Sequence, residues 1–122
     1  MRAMIKLSLV LNIIVLLPVC AGLIADADWV VESYGAFTAA RGILLAIYLA
    51  IGLVSALLLR ASEPKAVAAL LSAQVIYKLI TPVTVGTLFN PVVASNLFIA
   101  AFHTVTLALI FRAYKKGGLG EG

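Results

Sequence analysis

The chain has one cysteine and one histidine, and few charges: nine Lys and Arg and five Asp and Glu among 122 residues, or 11% of the sequence. Each scarcity excludes something. A single cysteine forms no disulfide within one chain, and a single histidine builds no His-cluster metal site. An ordinary soluble domain has about 25% charged residues, so this one lacks the polar surface to cover itself in water. Aromatics are also sparse at 8%, and with a net charge of only +4 the chain has no basic, aromatic-rich strip for nucleic acid. No glycine-rich phosphate loop follows a strand pattern, and neither HExxH nor a paired-cysteine motif occurs. No motif implies a cofactor, and none marks an enzyme.

What is present is apolar. Hydrophobic residues make up 64% of the chain, and the mean hydropathy is +1.17. A bilayer core about 30 Å thick takes roughly 20 apolar residues per helix. Four segments reach that length: residues 4–25, 35–59, 64–85 and 91–114. The expected fold class is therefore an all-α integral membrane protein, an antiparallel bundle of four transmembrane helices. It forms a single membrane domain over residues 1–122, with a flexible tail at 115–122. Ser62-Glu63-Pro64 supplies a capping hydroxyl, an acid in the first turn and a proline suited to the first helical position. Asn90-Pro91 repeats the start signal, and Gly86 follows the end of the third span. Pro18 and Pro82 lie inside spans, where membrane helices tolerate them.

Charge gives an orientation. Arg2, Lys6, Arg60, Lys65, Arg112, Lys115 and Lys116 fall on one side, and Asp26, Asp28 and Glu32 on the other. The positive-inside rule places both termini in the cytoplasm, of a bacterial inner membrane on this reading, with Trp29 and Tyr34 in the outer interface. Residues 1–27 also carry a signal-peptide pattern that ends in Ala25-Asp26-Ala27. The apolar run from Leu7 to Ala25 exceeds the usual core of about 7–15 residues, which favours a retained anchor.

Polar residues inside the spans carry the remaining information, because each must find a partner or water. Asn12, Tyr48, Gln74 and His103 fall near mid-depth and form the candidate intramembrane polar site. Arg41 and Lys78 lie nearer the outer face, together with Asn96, and the two cations form a candidate basic mouth. Arg41, Tyr48 and Ser55 recur every seven residues, as do Asn96 and His103. Gln74, Tyr77, Lys78 and Thr81 follow helical spacing, and Ser8 and Asn12 are four apart. Each span thus has one polar stripe, and the economical arrangement turns all four inward. Interhelical hydrogen bonding explains such stripes without chemistry, whereas a ligand or proton site would place the same residues around a cavity. Arg41 and Lys78 can likewise snorkel outward, or pair with the acidic loop.

Gly42, Ala46 and Ala50 form a small-residue helix-packing face on the second span, echoed by Ala66, Ala69 and Ala73 on the third. Such rows let helices approach closely. The expected partners are membrane lipid and further copies or subunits of a larger membrane complex, and no nucleic acid. The four-span layout, Tyr34-Gly35 leading into Ala40-Arg41-Gly42, and the proline-bounded last helix are similar to small bacterial DoxX-like membrane proteins. That resemblance implies an accessory membrane role near redox systems and transfers no site residue. The sequence reading is thus a non-catalytic accessory or assembly subunit. The alternative is an oligomeric small-molecule transporter or a lipid- or quinone-binding protein.

Overall fold

The structure, a computed structural model, describes residues 1–61 and 63–116. It is all-α, with five helices and no strand among the described residues: α1 (Arg2–Ala25), α2 (Asp28–Tyr34), α3 (Ala39–Arg60), α4 (Pro64–Val85) and α5 (Pro91–Lys115). Four of them, α1, α3, α4 and α5, are long and apolar enough to cross a membrane. The chain is an integral membrane protein, and its large exposed side chains, such as Leu17, Ile24, Ile43, Leu53 and Phe98, are those a lipid solvent accepts.

The helix ends show why the chain breaks where it does. Asn90 caps α5 through its side-chain oxygen, which accepts the Val92 and Val93 N–H groups at 2.8 and 3.4 Å. Gly86 ends α4 in the left-handed conformation (φ 88°), and its N–H bonds to the Pro82 carbonyl. Glu63 sits one position earlier than expected. It is the N-cap of α4 and not a first-turn acid, and its carboxylate accepts the Lys65 N–H at 3.2 Å. The expected Ser62 cap lies outside the described residues, as do residues 117–122 of the expected tail. Lys115 is still helical.

Two differences concern the start of the second span and the loop before it. The helix starts at Ala39 and not at residue 35, because Gly35 adopts φ 91° and Thr38 supplies the cap. The Thr38 hydroxyl oxygen accepts the Arg41 N–H at 3.2 Å. The first loop also contains α2, a short helix absent from the sequence reading. Asp26 makes it possible by adopting φ 54°, a left-handed conformation that aspartate tolerates better than most residues. The Ala27 N–H then reaches back to the Gly22 carbonyl, closing α1 as a Schellman turn.

The described residues fall into two compact units. The hairpin unit comprises Met1–Ser8 and the described part of Ala61–Gly122. In it α4 and α5 pack against each other, and Ile5, Val67, Leu71, Val93, Ile99 and Ile110 are among its buried apolar residues. The second unit, Leu9–Arg60, holds most of α1 with α2 and α3. Its core is Leu16, Cys20, Leu23, Val30 and Tyr48. Val30 brings α2 into that core, so the short helix is packed structure and not a passive link.

Candidate functional site

The polar stripes are the most buried polar groups of the chain. Ser8, Asn12, Arg41, Ser55, Gln74, Lys78, Asn96, His103 and Thr106 are all buried. Their helical spacing puts them on the inner faces, which they share with buried apolar residues such as Leu9, Ile99 and Ala100. Tyr77 and Thr81, also in the α4 stripe, are only half-buried, and the Thr81 hydroxyl turns back to the Tyr77 carbonyl at 2.8 Å.

In the Leu9–Arg60 unit, Asn12 donates its side-chain amide to the Ser55 hydroxyl at 3.1 Å, joining α1 to α3. Tyr48 lies in the apolar core, edge-on to Tyr34 with ring centroids 6.2 Å apart. Arg41 is held on three sides. Its guanidinium pairs with Asp26 at 2.6 Å, donates to the Gly35 carbonyl at 2.9 Å and lies over the Phe37 ring at 5.2 Å. The Arg41 side chain is 3% exposed and that of Asp26 is 57% exposed, so the buried cation meets its anion at the solvent side. The charge is neutralised within its own unit by the acidic loop.

The same unit has an apolar cavity of about 260 Å³ between α1 and α3. Ile13, Leu16, Leu17 and Cys20 line one wall, and Tyr48, Leu49, Gly52, Leu53 and Ala56 the other. Its size is near the lower end of small-molecule sites, and its walls suit a hydrocarbon chain and not a polar solute.

The hairpin unit treats its cation differently. Lys78 is buried, and its ammonium donates to the Asn96 side-chain oxygen at 3.0 Å. The Tyr77 ring lies 5.0 Å away, and no carboxylate pairs with Lys78 among the described residues. Gln74 lies one turn before Lys78 on α4, and His103 two turns beyond Asn96 on α5. Both are buried in this unit. Toward the other end of α5, the Ser8 and Thr106 hydroxyls share a hydrogen bond of 2.7 Å, which ties the start of α1 to α5. Thr106 also reaches the Met4 and Phe102 carbonyls at 3.4 and 3.5 Å.

The four mid-depth candidates are thus divided. Asn12 and Tyr48 belong to one unit, Gln74 and His103 to the other, and Arg41 and Lys78 are divided in the same way. Within each unit some of the polar groups join helix to helix, Asn12 with Ser55 in one and Lys78 with Asn96 and Ser8 with Thr106 in the other. Thr106, which the sequence reading did not single out, lies three residues after His103 on the same α5 face, and extending that stripe would have found it. Among the described residues, no group of three or more His, Cys, Asp or Glu side chains could hold a metal ion.

The small-residue face has a separate place. Ala46 and Ala50 are exposed, and a methyl built on Gly42 would meet no atom within 4 Å. Arg41, Tyr48 and Ser55 cover the opposite side of α3 and are buried. Ala66, Ala69 and Ala73 on α4 are exposed as well.

Together these features define an integral membrane protein of four spanning helices, in which Ser8 with Thr106, Asn12 with Ser55 and Lys78 with Asn96 bond one helix to another. Comparisons with protein-family models, with curated proteins and with solved structures return no match to this chain.

Proposed function

We propose that the chain is a non-catalytic accessory or assembly subunit of a larger bacterial inner-membrane complex, with both termini cytoplasmic. The observation that carries this reading is the division of α3. Its polar face is buried within the chain, and its face of small residues, Gly42, Ala46 and Ala50, is left uncovered. A lipid-facing helix has no need of small residues, whereas a helix that docks another does, because close backbone approach drives association where lipid removes the hydrophobic drive. The DoxX-like resemblance is consistent with such a role. The test is purification from native membranes in mild detergent, with stoichiometry measured before and after Ala46→Ile and Ala50→Ile. A second chain at fixed ratio, lost from both variants while the helical content stays constant, is the expected result. A partner-free monomer at native expression levels overturns the proposal.

The alternative, a lipid- or quinone-binding protein, is favoured by one observation: the apolar cavity beside Tyr48 and Cys20. It accommodates part of an acyl or isoprenoid chain. In that reading Tyr48, which lines the cavity, is the candidate polar contact for the ligand.

A further inference from the structure

The link between α4 and α5 is unusual for a segment between two membrane spans. From Leu79 through Phe111 the sequence has no charged residue. At the tip, Val83 is 81% exposed, Leu88 61% and Phe89 99%. A turn in water ordinarily presents polar groups, and this one presents a phenyl ring.

Its backbone is arranged for a medium poorer in water. The Gly86 N–H donates to the Pro82 carbonyl at 3.0 Å, and the Phe89 N–H to the Thr87 hydroxyl oxygen at 3.0 Å. Asn90 takes the first two free N–H groups of α5, and the Thr84 hydroxyl donates to the Thr81 carbonyl at 3.2 Å. These bonds pair several of the polar groups at the turn within the chain, which lowers the cost of bringing it close to hydrocarbon.

Length fixes the depth. At 1.5 Å per residue, Lys65 to Val85 and Pro91 to Arg112 each span roughly 30 Å, close to the hydrocarbon thickness of about 30 Å. With Lys65 and Arg112 holding their charges in water on one side, the turn reaches the opposite boundary and has no residues left to clear it.

We propose that the α4–α5 turn, residues 83–90, is a lipid-binding wedge: Leu88 and Phe89 insert into the boundary between headgroups and acyl chains of the bilayer leaflet opposite Lys65 and Arg112. The occupant is lipid because both flanking helices already face lipid and the turn joins them with exposed apolar side chains and no charge, the Thr84 and Thr87 hydroxyls and the Asn90 side-chain oxygen being engaged within the chain. Aromatic side chains are favoured at that depth.

Fluorescence in vesicles tests this directly. Phe89→Trp in a Trp29→Phe background leaves one reporter, placed where the native ring touches almost nothing. The full chain is reconstituted in phosphatidylcholine–phosphatidylglycerol vesicles at two protein-to-lipid ratios. The expected result is emission shifted to the blue, with at least about half of it lost to lipids brominated on their acyl chains, and little lost to aqueous iodide, as for an interfacial aromatic. Iodide quenching as strong as for a free indole overturns the proposal, because the turn then lies in water. Protection from both quenchers also overturns it, because protein then covers the turn.

Discussion

The two buried cations, Arg41 and Lys78, show how differently the two units meet one problem. Arg41 has a carboxylate, a carbonyl and an aromatic face around it, and the carboxylate reaches it from a half-exposed turn. Lys78 has one amide oxygen and one aromatic ring. The contrast continues outward. The Leu9–Arg60 unit ends in an acidic loop folded into α2, with Trp29 exposed, and the hairpin unit ends in a turn without charge. One connection carries acids and a packed short helix, the other exposed apolar side chains and no charge. Arg41 is secured by an ion pair because the chain supplies an acidic loop beside it, and Lys78, with no such loop, relies on neutral polar partners.

The largest effect should come from the contact that holds α2 in place. A Cβ at Gly22 would lie 2.5 Å from the Trp29 ring and 2.8 Å from a methyl of buried Val30. Gly22→Val therefore overpacks the α1–α2 contact, and a destabilisation of about 2–3 kcal/mol is expected. Reversible unfolding in bicelles would measure it. An unchanged midpoint would mean that α2 is not packed as described, and the contrast between a folded loop and a bare turn would fail.

The second test sets the two cations against each other. Asp26→Asn preserves a side chain that tolerates the left-handed backbone but removes the charge. Because the Asp26 carboxylate is more than half exposed, the expected loss is about 1–2 kcal/mol, below that of a fully buried pair. Lys78→Met removes a buried cation that has no anion, and should be neutral or stabilising by about 1 kcal/mol. Opposite signs in the same unfolding assay would sharpen the comparison. A large loss for Lys78→Met would mean that the ammonium matters more than its neutral partners indicate.

Much of this was legible because membrane burial acts on composition and spacing. The long apolar runs gave all four spans, and Pro64, Gly86 and Asn90-Pro91 gave both ends of α4 and the start of α5 because caps are local chemistry. The seven-residue recurrences gave the buried faces, since burial follows helical phase. α2 was not legible in the same way. Seven residues are too few for a periodic signal, and acids beside Trp29 and Val30 read as loop. Its marks were Asp28 in the first turn and Gly35 just past the end, which gain meaning only once Val30 is known to be buried. Nor could spacing reveal that Arg41 finds Asp26 while Lys78 finds Asn96, because those pairings depend on which helices are neighbours.

The smallest expected effect concerns the neutral bonds that the two units have in common. Ser8 and Thr106 form one in the hairpin unit, Asn12 and Ser55 one in the other. Hydrogen bonds between membrane helices contribute about 0.6 kcal/mol on average, because the unfolded chain in the membrane also finds partners. Ser55→Ala should cost about that much. Ser8→Ala should cost less, near ~0.3 kcal/mol, because the Thr106 hydroxyl still has the Met4 and Phe102 carbonyls within reach. A Ser8→Ala and Thr106→Ala double-mutant cycle, read by the same unfolding assay, separates the bond from its substitutes. A coupling near zero would assign the Ser8 stripe to packing alone. A coupling well above ~1.7 kcal/mol, the upper end for such bonds, would mean that the hairpin unit, which has no ion pair among its described residues, relies on its neutral bonds more than membrane helices generally do.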